Sequence, residues 1–265
     1  MRYCRLETPS GPRYAAVEDR NGASWAVTLI APPPESRVVY DPAESFTPIA
    51  LADATLLPPV EPSKIVCVGR NYREHATELG NEVPAAPLLF FKPPSSLLAP
   101  GAAIRLPSES SNVHYEGELA VVIGRQARAL KSDTDLRPYI RGYTIVNDIT
   151  ARDLQKSDGH WTRAKGFDTF CPCGPIVSSE VNPAAGLIVE TRLKGERKQY
   201  GTTRDFIFLI PHLLVYITAC MTLEPGDLIP TGTPAGVGAM SAGDTVEVSI
   251  EGLGALRNPV VSGTE

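Results

Sequence analysis

Cysteine, basic excess and long apolar runs are what this sequence has least of. The five cysteines, Cys4, Cys67, Cys171, Cys173 and Cys220, are odd in number and scattered through 265 residues. That argues against a disulfide framework and for free thiols. Cys171 and Cys173 flank Pro172, but no second cysteine or histidine pair stands at the spacing a structural zinc site needs. The formal net charge of -5 gives no basic field for nucleic acid or an anionic membrane, so a small anionic metabolite is the better partner. No stretch approaches the roughly 20 apolar residues that cross a bilayer, and residues 1–7 lack the apolar core of a signal peptide. A cytoplasmic protein without membrane or nucleic-acid partners is expected. Internal repeats, low-complexity tails and long charge runs are also missing from the sequence.

What the chain does have is one stretch that organises the rest, His114-Tyr115-Glu116-Gly117-Glu118-Leu119-Ala120-Val121-Val122-Ile123-Gly124. Two carboxylates precede an uninterrupted apolar run. With a strand period of two, His114, Glu116, Glu118, Ala120 and Val122 share one face, and both faces become apolar after Glu118. A strand covered on both sides, its acidic end opening into a cavity, accounts for this pattern. The two carboxylates read equally well as a solvated strand end or as a partly buried pair that needs a cation or arginines beside it. Oxygen-only ligation suits Mg2+, Mn2+ or Ca2+, whereas recruiting His114 points towards iron or another transition metal. His114 is expected to be a hydrogen-bonding neighbour.

Length and 43% hydrophobic content suffice for one large domain or a large one with a small one. Short strand-like pieces separated by Pro-rich breaks make residues 1–60 a small β-rich module. The segment 57–63 is the boundary, and a main domain over 61–265 opens with the buried-strand pattern of 64–69. A short helix is expected over 71–80, with Asn71 as N-cap and Gly80 as stop. On it, His75 and Glu78 are three apart and share a face, so the carboxylate can orient the imidazole as a general base; solvated helices carry such pairs just as often. Residues 87–94 and 140–148 read as strands. Asp148, at the exit of the second, is a third candidate carboxylate or a cap for a helix over 150–156. Residues 158–170 resemble a loop that orders over a substrate, with Lys165 placed to meet a carboxylate or a developing enolate, or simply solvated. Residues 188–193 and 245–250 resemble strands, and 211–221 a mainly buried helix whose His212 is a helix-start or core residue. Gly232-Thr233-Pro234-Ala235-Gly236-Val237-Gly238 lacks the features of a nucleotide loop; its glycines let backbone approach a ligand and Thr233 offers a hydroxyl.

Together these motifs carry a resemblance. Gly69-Arg70-Asn71-Tyr72 with His75-Ala76 and Glu78, Tyr115-Glu116-Gly117-Glu118-Leu119-Ala120, Gly142-Tyr143-Thr144 with Asn147-Asp148, Ala151-Arg152-Asp153-Leu154-Gln155, Lys165-Gly166-Phe167-Asp168 and Gly232-Thr233-Pro234 resemble the fumarylacetoacetate hydrolase family over residues 64–261. The resemblance implies an α+β, β-rich architecture, the mixed β-roll-like C-terminal fold of that family, and a homodimer. It implies Mg2+ or Mn2+, with Ca2+ as a substitute, on Glu116, Glu118 and Asp148. It further implies His75 oriented by Glu78 as base, Lys165 near the reacting oxygen, and Arg70, Arg152, Gln155 and Thr233 around a small anionic 2-oxo acid. Within the family the motifs are most similar to the bacterial 2-hydroxyhepta-2,4-diene-1,7-dioate isomerase/decarboxylases of aromatic catabolism. Acylpyruvate hydrolysis, oxaloacetate decarboxylation and a non-catalytic metal-stabilised binding module are the alternatives. The chain departs from relatives at Leu193-Lys194-Gly195-Glu196, where Asn-Gly-Glu is frequent, and at Phe206, where methionine is common.

Overall fold

The computed structural model describes residues 1–78, 80 and 82–263. Leu79, inside the helix expected over 71–80, lies outside the described residues, as do the last two residues of the expected main domain. The architecture is α+β and β-rich; among the described residues the strands gather into three sheets with short helices between them. In the largest sheet, strands run in the order Ile49–Ala50, Ala23–Ile30, Gly11–Arg20, Arg2–Thr8, Cys171–Ser178, Ile140–Asn147, Gly117–Ile123, Leu228–Pro230, Ile65–Gly69 and Leu88–Lys92. The N-terminal strands therefore continue the sheet of the remaining chain, Arg2 lying opposite Ser178 and Tyr3 opposite Val177. A second sheet of five strands contains Ile188–Leu193 and Thr245–Ile250, the strands expected from their apolar alternation.

Gly117–Ile123 is buried at every position. Leu119, Val121 and Ile123 face a core shared with Val189, Val248 and Ile250 of the second sheet and with Leu213, Leu214 and Ile217 of a helix. Ala120 and Val122 face an opposite core built with Val146, Ile65 and Tyr14. Apolar side chains on both faces are what a strand between two packed layers requires. The acidic stretch is nevertheless not one strand. Val113–Tyr115 belongs to the small third sheet, and the chain breaks at Glu116 before Gly117–Ile123 begins. Glu116 thus sits at a corner between sheets, where its side chain is not bound to the alternation of either strand.

Among the described residues, four α-helices punctuate the sheets: α1 (Arg73–Glu78), α2 (Arg152–Ser157), α3 (Thr162–Gly166) and α4 (Ile210–Cys220). Asn71 is not the cap of α1. It is fully buried, donating to the Phe208 and Thr231 carbonyls and accepting from the Phe208 amide, and so anchors the start of α1 to two other segments. The stretch expected to be a loop over 158–170 contains α3, which places Lys165 in a buried helical turn. α4 starts with proline in its first turn, where the missing amide costs nothing, and buries Leu213, Leu214 and Ile217. His212 starts that helix but is exposed, stacked between Phe208 and Tyr216. All five cysteines are free thiols. No helix among the described residues is long and apolar enough to cross a membrane.

Candidate active site

Gly117 lies opposite Asn147 and Glu118 opposite Val146, so the acidic end of one strand and the exit of the next coincide. At the corner, the Glu116 amide donates to Asn147 Oδ1 at 2.9 Å and the Asp148 amide donates to the Glu116 carbonyl at 2.8 Å. These bonds satisfy backbone groups that the broken ladder leaves unpaired. They also bring Glu116, Glu118 and Asp148 together, all buried, with one oxygen from each within 4.8 Å of the others. Asp148 is therefore a member of a carboxylate cluster rather than a cap; α2 starts after Ala151 without a side-chain cap.

Three cations balance the three carboxylates. Lys165 Nζ donates to Glu116 Oε2 at 2.8 Å and to Asp148 Oδ2 at 2.6 Å. Arg152 pairs with Glu116 Oε1 and, through Nη1, with Gln155 Oε1 at 2.9 Å. Lys92 Nζ donates to Asp148 Oδ1 at 2.7 Å and also meets the Ile149 and Lys165 carbonyls. Burial opposes ionisation of Glu116, but Arg152 and Lys165 outweigh it and hold the carboxyl well below the usual range. Burial likewise works against the Lys165 ammonium, and Asp148 and Glu116 overcome it, leaving Lys165 above its ordinary value. Glu118 goes the other way. Burial, reinforced by Asp148 and Glu116, pushes it well above a normal carboxyl, and its contact is the Gly232 amide at 2.8 Å. Gly232 has φ +102°, and a Cβ there would stand 2.7 Å from Asn71 Cβ, so glycine alone lets this amide reach Glu118.

His75 and Glu78 project from α1 into the same cavity. His75 is buried, and its Nδ1 lies 3.5 Å from Glu78 Oε2, beyond a well-formed hydrogen bond. Burial lowers the His75 pKa, Glu116 opposes the shift, and Arg152 and Lys165 reinforce it. Both Glu78 oxygens accept the Gly236 amide at 3.1 Å, tying α1 to the glycine-rich segment. Thr233 in that segment donates to the Gly117 carbonyl at 2.9 Å and accepts from Gln199 Nε2 at 2.8 Å. His114 bonds to Asn112 Oδ1 through Nε2 at 2.9 Å, outside the carboxylate cluster.

One cavity of about 360 Å3 is lined by Arg70, His75, Glu78, Glu116, Glu118, Asp148, Arg152, Gln155, Lys165 and Thr233, the site positions that the resemblance implied. Phe90, Lys156 and Trp161 also line it and were not foreseen. Lys92 and Gln199, which brace its walls from behind, were missed too. The signal for Lys92 was present as a lysine ending the otherwise apolar Leu88–Lys92 strand. Gln199 carries none, since it sits in a polar, largely exposed strand and only the packing of that strand buries it.

Residues 64–261 match the family model for the fumarylacetoacetate hydrolase C-terminal domain. The chain belongs to the fumarylacetoacetate hydrolase family. Among this family, the crystal structure of 2-hydroxyhepta-2,4-diene-1,7-dioate isomerase from Mycobacterium marinum is 44% identical, covers 100% of both chains and superposes with a TM-score of 0.87. A mitochondrial oxaloacetate decarboxylase from Dictyostelium discoideum is 46% identical over 198 residues, 72% of this chain and 89% of the relative. Fumarylpyruvate hydrolase from Pseudomonas aeruginosa, solved with Mn2+ and pyruvate, is 32% identical over 77% of this chain and 91% of that one, with a TM-score of 0.70. Isomerisation, decarboxylation and hydrolysis are thus all represented among the relatives. In this family member, the all-oxygen donor set and its burial fit a hard divalent cation, and the raised Glu118 marks the carboxyl that such a cation would compensate.

Proposed function

We propose that this chain is a divalent-cation-dependent enzyme acting on 2-oxo or 2-enol acids, and that 2-hydroxyhepta-2,4-diene-1,7-dioate isomerisation or decarboxylation is its reaction. The observation that carries the reading is the convergence of the buried Glu116, Glu118 and Asp148 cluster with His75 and Lys165 in one cavity. Glu116, Glu118 and Asp148 would hold Mg2+ or Mn2+, which would supply positive charge to stabilise an enolate. Charge balance supports an anionic substrate. Three carboxylates already face Lys92, Lys165 and Arg152, so a divalent cation leaves an excess that a carboxylate ligand neutralises.

The chain's own groups divide the remaining work. Lys165 uses two of its three N–H donors on Glu116 and Asp148, and the third is available to the substrate oxygen on which negative charge develops. His75, held neutral by burial, takes a proton from the substrate through Nε2, because Nδ1 is turned towards Glu78. Glu78 then stabilises the imidazolium. Taking the proton from the 2-hydroxyl of the diene and returning it to C5 gives the 2-oxo-3-ene isomer, with no atom gained or lost; on a 2-oxo acid the same base removes a proton from C3. Arg152 and Thr233, which both line the cavity, orient the substrate.

A second reading, oxaloacetate decarboxylation, draws support from the Dictyostelium relative. Turnover of the dienedioate, oxaloacetate and acetylpyruvate, measured with Mg2+ or Mn2+ and again after chelation, separates the readings. The proposal expects cation-dependent turnover of the dienedioate above that of the other two; oxaloacetate as the best substrate favours the second reading, and acetylpyruvate cleavage a hydrolase. The proposal also keeps the homodimer and the division near residue 60 that the sequence suggests, which sedimentation and limited proteolysis test.

A further inference from the structure

The cations lining the cavity fall into two groups. Lys165 and Arg152 are buried and already paired with Glu116 and Asp148. Two other cations line the same cavity, Arg70 and Lys156, and neither makes a hydrogen bond or ion pair within the chain among the described residues. Arg70 follows the Ile65–Gly69 strand and has φ +56°, a left-handed conformation that is costly for a residue with a side chain. Lys156 stands in the last turn of α2, the helix that also carries Arg152 and Gln155.

An aromatic wall accompanies these cations. Trp161 packs edge-on to Phe90 with ring centroids 5.2 Å apart, and the Arg70 guanidinium carbon lies 5.9 Å from the Trp161 ring centroid. Trp161 sits so close to the backbone before Arg70 that a Cβ on Gly69 would lie 2.9 Å from its ring. Its carbonyl accepts the Lys165 amide at 2.9 Å, so the turn that presents Lys165 also fixes the indole. A planar guanidinium resting on an aromatic face keeps its N–H edge free, the arrangement that receives a carboxylate with two parallel hydrogen bonds.

We infer that Arg70 and Lys156, with the Trp161–Phe90 wall, form an outer subsite that binds a second carboxylate of the substrate, making this chain selective for 2-oxo dicarboxylates over 2-oxo monocarboxylates. The inference rests on the 2-oxo acid reading above and adds a specificity determinant to it. The flat wall suits an extended, conjugated chain joining the two acid ends.

The test uses two probes that lack the diene, undergo no net conversion and differ only at the far end, 2-oxoheptanedioate and 2-oxoheptanoate, titrated calorimetrically into the Mg2+-loaded protein. The expected result is tighter binding of the dioate by about tenfold to a hundredfold, the range of a charge-assisted hydrogen-bonded contact. In Arg70→Met that ratio falls towards one, and Lys156→Met lowers it by a smaller factor because its exposed side chain is less fixed. Equal affinity for the two probes in the unsubstituted protein overturns the subsite, as does a ratio that survives in the R70M/K156M double variant. Failure of both probes to bind a Mg2+-loaded protein is a different outcome: it removes the 2-oxo acid reading, and the subsite with it.

Discussion

Lys92 donates a hydrogen bond to Asp148 Oδ1 at 2.7 Å while Lys165 donates to the other oxygen, Oδ2, at 2.6 Å. The Asp148 carboxylate is thus gripped on both sides, by one lysine from a strand and one from a helix. Lys92 also bonds to the backbone carbonyl of Lys165, so it positions the second lysine as well as the carboxylate. A single ammonium behind the cavity joins the acidic cluster to the turn that carries Lys165.

Removing that ammonium leaves a buried carboxylate and two buried carbonyls short of a donor. Lys92→Met is expected to cost about 3–5 kcal/mol of stability, the usual consequence of breaking one side of a buried pair. Chemical denaturation checks this. Asp148→Asn in the Lys92→Met background is expected to recover part of the loss, since the uncompensated charge is gone.

Glu118→Gln separates stability from cation binding. Glu118 is pushed towards its neutral form by burial, Asp148 and Glu116, and the amide oxygen of glutamine can still accept the Gly232 amide. The variant should therefore fold as well as the unsubstituted protein without added metal, yet lose the rise in melting temperature that Mn2+ produces and lose turnover. Thermal melts with and without Mn2+ read both effects.

The pH dependence follows from His75. Its pKa is depressed, so the neutral base persists below the ordinary histidine range and protonates only as the pH falls further. The rate should hold through pH 6.5 and decline on the acid side below it. The same depression makes the folded state bind fewer protons than the unfolded chain there, so stability contributed at higher pH is lost as the pH falls. An acid limb of the kcat/KM profile whose midpoint lies above pH 7 contradicts the assignment of His75 as the neutral base.

Glu78 has two separable roles, facing His75 and accepting the Gly236 amide. Glu78→Gln keeps an acceptor for Gly236 but removes the charge that stabilises the imidazolium. Its kcat should fall by about a hundredfold, the lower end of an acid-base contribution, with KM little changed. Glu78→Ala should raise KM as well, because the glycine-rich segment loses its tie to α1.

Much of this site was legible in the sequence because short motifs carry its chemistry. Glu116, Glu118 and Asp148 lie at strand ends, and alternation into apolar residues announces such ends. The break at Glu116 was hidden, since a corner between two sheets leaves no mark in a period-two pattern when the next strand resumes in phase. Asn71 looked like a helix cap because its neighbours suit a helix start; its actual partners, Phe208 and Thr231, lie far along the chain. The same reason hid Lys92 and Gln199, whose partners lie 34 or more residues away. Arg70 was visible, but its pairing with Trp161 depends on a contact between two elements that nothing local records.

We propose that this cavity, with a divalent cation on Glu116, Glu118 and Asp148, takes a proton from the carbon beside a 2-oxo group. Deuterium exchange at C3 of 2-oxoheptanedioate, followed by proton NMR in D2O, measures that step without depending on which overall reaction completes it. The account predicts exchange that requires Mg2+ or Mn2+, stops on chelation, and is lost in both Glu118→Gln and His75→Asn. Exchange no faster than with free metal in buffer, while the protein binds the cation and the probe, would contradict it.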